Sequence, residues 1–184
     1  MTNTNFSTRK IVAIALFAAL VTIATTIRIP LPALVGQPFI HLGSSVFILA
    51  VLLLGVLPGA IAGSLGFVIF DVLNGFAAEA PYFILECFII AGILSLVLRS
   101  TQFAKQPTTP KLILLTVVAG IAKLGMTFLK NTVMALVLGA TVPVAVTSSI
   151  SALYITLINA IAAVIIVSLL YFPLRTILDR TLGK

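Results

Sequence analysis

The ionisable and amide side chains of this chain are few, and most stand where they are expensive. Lys123 and Lys130 lie seven residues apart in one apolar run, with Thr127 between them and Asn131 alongside. Seven residues make about two helical turns, so both ammonium groups share a helix face. Glu86 lies one turn into a run that opens at Tyr82, and Asp71 and Asn74 close an earlier run, next to Glu79. Tyr154 and Asn159 lie in the last apolar run, while Gln37 and His41 stand where a proline-containing segment meets the second. An ionisable side chain in mid-bilayer costs about 2.5–3.5 kcal/mol on insertion scales, so such groups face a cavity or a partner. Glu86 and Lys130 reach similar depth and can form a pair. Singly, each residue also has a structural reading: a buried Glu86–Lys130 pair, an interhelical hydrogen bond from Asn159, an interfacial His41. Lys123 can snorkel or meet a partner subunit. Together, the groups converge on one level and imply a solvated cavity that takes a small ligand. Its expected polar anchors are Glu86, Lys130, Asn131 and Asn159, with Tyr154, Tyr82, Gln37, His41, Asp71 and Asn74 around them.

The elements that must position these groups follow from composition. Of 184 residues, 61% are apolar and 8% charged, against roughly 45–50% and 25% in a soluble domain. Mean hydropathy is +1.29. Fifteen charged side chains do not clothe a water-soluble globule of this size, so the solvent is a bilayer. A net charge of +7 would suggest nucleic acid in a soluble protein; in a membrane protein it records basic cytoplasmic loops, and no nucleic-acid partner is expected. The single Cys87 packs in an apolar run and says nothing of redox compartment.

Apolar runs over about 11–27, 42–57, 59–73, 82–98, 112–138 and 148–172 predict six transmembrane helices in one domain, 1–184. At about 20 residues per span, no room is left for a soluble catalytic domain. The first run is longer than a signal-peptide core and lacks a cleavage site, so it is read as a retained span. A Pro-Gly turn at Pro58-Gly59 is expected to split the second run from the third. With the N-terminus inside, Arg9, Lys10, Arg99, Lys105, Lys111, Arg175, Arg180 and Lys184 fall on the inner side and Arg28 alone on the outer. That bias places both termini in the cytoplasm of a multi-pass plasma-membrane protein, with the polar cluster in the outer half of an all-α integral membrane bundle. The outer segment Arg28–Ile40 holds Pro30, Pro32 and Pro38 among apolar residues; it is not a regular helix and is expected to lie across the outer mouth. The connection from Gly139 to Thr147 is expected to close the other side.

Enzymatic chemistry is not expected, and neither a cofactor nor a metal. Gly120 and Gly125 have phosphate-loop spacing, but Met126 replaces the essential Lys and the segment lies inside an apolar helix. One His and one Cys do not make a metal site, and His41 at an edge does not serve an intramembrane nucleophile. Gly55, Gly59, Gly63 and Gly66 recur at a spacing that lets helices approach closely, as do Ala15 and Ala19.

The run Phe39-Ile-His-Leu-Gly43, followed by Leu54-Gly55-Val-Leu-Pro58-Gly59-Ala-Ile-Ala-Gly63-Ser-Leu-Gly66 and then Asp71, resembles the S component of an energy-coupling factor (ECF) vitamin importer. It is similar to the branch handling riboflavin, hydroxymethylpyrimidine and pyridoxine-like compounds, over nearly the whole chain. The resemblance implies a subunit that captures a vitamin at the outer face, with a transmembrane T subunit and two cytosolic ATPases driving import by toppling it. It implies that Ala15 and Ala19 dock on the T subunit. Where the riboflavin-type branch often carries Lys-Gly, this chain has Glu86-Cys87, which turns the expectation towards pyridoxine or hydroxymethylpyrimidine. The competing classes are an autonomous ion-coupled carrier or channel using Glu86 and the span-five lysines, and a ligand-free structural subunit.

Overall fold

Helix boundaries in this chain are set by glycine and proline more than by polarity, because the apolar background is nearly continuous. The computed structural model describes residues 7–31 and 39–182. In chain order these form helix α1 (Thr8–Thr26), strands β1 (Arg28–Pro30) and β2 (Phe39–His41), and helices α2 (Gly43–Leu54) and α3 (Val56–Leu73). A single 3-10 turn (Ala77–Glu79) then leads into α4 (Ala80–Ser100), followed by α5 (Thr109–Val137) and α6 (Val142–Leu182). The Ser7 side chain caps α1 by accepting the Lys10 N–H, and α4 and α5 each carry a proline in their first turn, where no N–H is missed. The strands pair antiparallel, with Arg28 opposite His41 and Pro30 opposite Phe39. The proline-containing segment is therefore a small hairpin where it is described; Gln37, Pro32 and Pro38 lie outside the described residues.

Five helices are long and apolar enough to cross a membrane, and α2 is a shorter apolar one. The second expected span, 42–57, is thus only 12 residues long, about 18 Å against a hydrocarbon core of about 30 Å. Its enclosure explains why it need not reach both surfaces: nine of its residues are buried, from Gly43 to Leu54. The break after it falls at Gly55, whose φ of +101° is a conformation that favours glycine. The expected turn at Pro58-Gly59 is instead the first turn of α3.

The last helix also departs from its expected 148–172. It starts at Val142, which reduces the loop after α5 to a few residues, and it continues through Pro173 for 41 residues. At about 1.5 Å per residue this is near 60 Å, twice the hydrocarbon thickness. Its end therefore projects beyond the hydrocarbon, where Arg175 pairs with Asp179 at 3.6 Å and Tyr171 packs buried against Phe103.

Close helix approach concentrates on α3. A side chain at Gly59 would strike the Val51 backbone, one at Gly63 the Phe47 ring, and one at Gly66 the Ala18 carbonyl and Val21. Thr22 Oγ1 reinforces the last contact by donating to the Gly66 carbonyl at 2.9 Å. Ala15 and Ala19, in contrast, lie on the exposed side of α1, while Ala13 and Ala18 are buried. The chain is an all-α, multi-pass membrane bundle. Gly59→Ala should lower the stability of the detergent-solubilised protein by about 1–3 kcal/mol through overpacking against backbone. Gly92→Ala and Gly125→Ala, which would meet nothing within 4 Å, should leave it unchanged or raise it; thermal unfolding of the three variants checks this.

Candidate substrate pocket

Antiparallel α4 and α5 build the charged wall of a cavity at the hairpin end of the bundle. Glu79 and Glu86 are seven residues apart, as are Lys123 and Lys130, so each pair projects from one helix face about 10 Å apart along the axis. The antiparallel register joins them as two rungs: Lys123 Nζ to Glu86 Oε2 at 2.7 Å, and Lys130 Nζ to Glu79 Oε2 at 2.6 Å. The Glu86–Lys130 pairing expected from depth is replaced by these two. Its error has a simple source: the turn Ala77–Glu79 extends α4 backwards, which gives Lys130 a nearer carboxylate and leaves Glu86 to Lys123. Glu86 is 1% exposed and also accepts from the Tyr82 hydroxyl at 2.9 Å.

Aromatic rings line the space between these rungs and the hairpin. Phe67 and Phe83 stack with centroids 5.6 Å apart, and Phe39 meets Phe76 at 6.2 Å and His41 at 5.3 Å. The ammonium groups sit over those rings, Lys130 at 5.3 Å from Tyr82 and 5.4 Å from Phe83, and Lys123 at 5.8 Å from Phe83; ring faces attract cations, more so when water is excluded. Arg28, at the root of the hairpin, lies 4.9 Å from the centroids of both Phe39 and Phe70. The cavity so formed has a volume of about 110 Å³.

Seven of the ten residues expected at a binding site border this cavity: His41, Asp71, Tyr82, Glu86, Lys130, Asn131 and Asn159. Asn74 and Tyr154 do not: Asn74 turns back to donate to the Phe70 carbonyl at 2.8 Å, and Tyr154 is 46% exposed. Gln37 lies outside the described residues. Asn159 borders the space, yet its amide is engaged with β2: Oδ1 accepts the His41 N–H at 3.0 Å and Nδ2 donates to the Phe39 carbonyl at 3.1 Å. It is a clasp between α6 and the hairpin. Thr156 and the rings of Phe39, Phe76 and Phe83 border the cavity without having been singled out, and so do Lys123 and Glu79, which the sequence marks as costly charges but not as binding residues. For Glu79 and Lys123 the signal was present in the matched seven-residue spacings; for the rings there was none, since phenylalanine is ordinary in an apolar chain.

His41 is held neutral. Burial, reinforced by Lys123 and Arg28, pushes its pKa down to about 3, and its Nδ1 accepts the Gly43 N–H at 3.1 Å.

This geometry defines a class of protein: a helical membrane subunit with a small pocket of paired charges and ring faces at one end. The family described as ECF-type riboflavin transporter, S component, matches residues 5–176, and the chain belongs to it. No curated protein and no solved structure matches the chain significantly. As an S component it is a transport subunit.

The rungs and His41 each yield a test. Lys123→Met leaves the Glu86 carboxylate enclosed without its cation, a change that costs about 3 kcal/mol or more in buried pairs. The double variant Glu86→Gln/Lys123→Met should be less destabilised than Lys123→Met alone, read as thermal unfolding in detergent. His41 binds its proton in the unfolded chain near pH 6.5 but in the folded one only near pH 3. Its contribution is therefore full above pH 6.5 and declines as pH falls. Between pH 6.5 and 5 stability should drop by about 1–2 kcal/mol, and His41→Gln should flatten that part of the profile.

Proposed function

We propose that this chain is the substrate-capturing subunit of an ATP-driven ECF importer and that it binds a single-ring, water-soluble vitamin or vitamin precursor. Pyridoxine-like compounds and hydroxymethylpyrimidine are the favoured substrates. The observation that carries this reading is the cavity itself. At about 110 Å³ it is well below the roughly 300–1,000 Å³ of pockets for drug-sized ligands. Ring faces from Phe39, Phe76 and Phe83 and polar groups from α3, α5 and α6 suit a small heteroaromatic with hydroxyl or amino substituents. In this reading Glu86, Lys130, Asn131, Asp71 and Tyr82 shape the binding surface, and Asn159 and His41 hold the hairpin against it. Capture is at the outer face. The partners are a transmembrane T subunit and two cytosolic ATPases, with the exposed Ala15–Ala19 face of α1 turned towards the T subunit.

Riboflavin is the second reading, favoured by the description of the matching family. It demands a pocket that opens well beyond its present volume. The two readings separate in one experiment. The full chain, purified in detergent, is titrated calorimetrically with pyridoxine, 4-amino-5-hydroxymethyl-2-methylpyrimidine and riboflavin, after mass spectrometry of any co-purifying small molecule. Tight one-to-one binding of a single-ring compound is the expected result; tight binding of riboflavin alone supports the second reading, and no binding from the panel overturns both. Lys130→Ala removes the cation over the Tyr82 and Phe83 rings and should weaken the bound compound by about tenfold, near 1.4 kcal/mol, with membrane insertion unchanged. Unaltered affinity in that variant would place the site elsewhere.

A further inference from the structure

The polar groups around the cavity divide by what they already touch. Glu86 is met by Lys123 and Tyr82, Glu79 by Lys130, and Asn159 by the backbone of β2. Asp71, Asn131 and Thr156 also border the cavity and are 2%, 8% and 8% exposed, yet their side chains meet no hydrogen-bond partner among the described residues. For Asp71 the Oδ2 atom is fully enclosed and unpartnered. Three carboxylates thus border the cavity against two ammonium groups, and both ammonium groups are matched to the other two carboxylates. Asp71 is the odd one. A desolvated carboxylate accepts only, and without a donor it is left unfavourably placed. A ligand that brings N–H donors supplies what is missing, through charge-assisted bonds about twice as strong as neutral ones.

We propose that Asp71 is the specificity-determining residue of the pocket and that it reads a donor on the ligand: the N–H of an amino group carried by the ring. Asn131 from α5 and Thr156 from α6 hydrogen-bond the remaining polar substituents. The paired charges are then a framework, and selection rests with the three unmatched groups. This assignment rests on the cavity being the substrate site, and within that reading it selects an aminopyrimidine over a ring substituted with hydroxyls alone.

The test uses the full chain in detergent and calorimetric titration with three probes: 4-amino-5-hydroxymethyl-2-methylpyrimidine, its 4-oxo analogue, and pyridoxine. The analogue turns a carbonyl acceptor towards the carboxylate in place of the amino donor. The wild-type protein should bind the amino compound about tenfold or more tightly than the analogue, the ratio expected when a built polar contact is left unmatched. Asp71→Leu, which removes the acceptor, should abolish that preference, and Thr156→Val should weaken both pyrimidines without altering their ratio. Equal binding of the two pyrimidines by wild type, or a preference that survives in Asp71→Leu, overturns the assignment. Should Asp71→Leu fail to fold, the wild-type ratio alone decides. Binding of pyridoxine without the aminopyrimidine overturns the role of Asp71 while leaving the substrate site in place; binding of none of the three, nor of riboflavin, removes both.

Discussion

Two acid–base rungs between α4 and α5 fix the rest of the structure around them. In a bilayer an unpaired carboxylate or ammonium is strongly penalised, and breaking a buried pair leaves a charge with no compensation. Glu79–Lys130 and Glu86–Lys123 occupy the same antiparallel register. Sliding one helix by a single turn, about 5.4 Å, would separate all four groups at once. The two helices therefore have one low-energy alignment, and apolar packing alone would not define it so sharply, since lipid tails are as apolar as the side chains. Aligned in this way, the ammonium groups come to rest over Tyr82, Phe83 and Phe67, so the same register that neutralises charge also orients rings.

The opposite half of the bundle is held by a different force. Along α3, Gly59, Gly63 and Gly66 bring its backbone against α2 and α1, and dispersion over that close contact supplies the attraction that water would otherwise supply. α2 can be short because it is wrapped on nearly all sides. The hairpin joins the halves. Arg28 on β1 is caged by Phe39, Phe70 and Phe76, while Asn159 on α6 holds the backbone of β2. The cavity is what remains between a half fixed by small residues and a half fixed by charge.

Much of this was legible in the sequence, and the failures have physical causes. The membrane class and the existence of the apolar helices followed from hydropathy, because a bilayer leaves so little freedom in backbone hydrogen bonding. The convergence of Asp71, Glu86, Lys130 and Asn131 at one end followed from alternating helix direction. Pairing did not: it depends on where a helix begins, and the turn at Ala77–Glu79 carries no apolar signal. The length of α6 was missed because its last turns, with Arg175 and Asp179, lie beyond the hydrocarbon and look like a tail. The length of α2 was missed because a hydropathy run does not distinguish a helix facing lipid from one enclosed by protein. Aromatic walls were expected, but not which rings form them, since twelve phenylalanines in an apolar chain give no reason to prefer any of them.

A pocket whose charges are matched before a ligand arrives binds differently from one that waits for a counter-ion. The rungs need no reorganisation when a molecule enters, so little of the interaction is lost to ordering side chains. Apolar ring faces supply affinity roughly in proportion to area and discriminate weakly, whereas an enclosed polar group left unmatched rejects the wrong substituent strongly. On the proposed reading of the cavity as the substrate site, selectivity therefore concentrates in the few polar side chains that the framework leaves without partners. In a cavity of about 110 Å³ a ligand has little room to turn away from any of them. The same strand that contributes the Phe39 ring also offers its carbonyl to Asn159, so the aromatic wall facing Asp71 is anchored through α6. A substituent that displaced Phe39 would strain that clasp as well as the ring contacts, which extends the reach of a small steric difference across three elements of the fold.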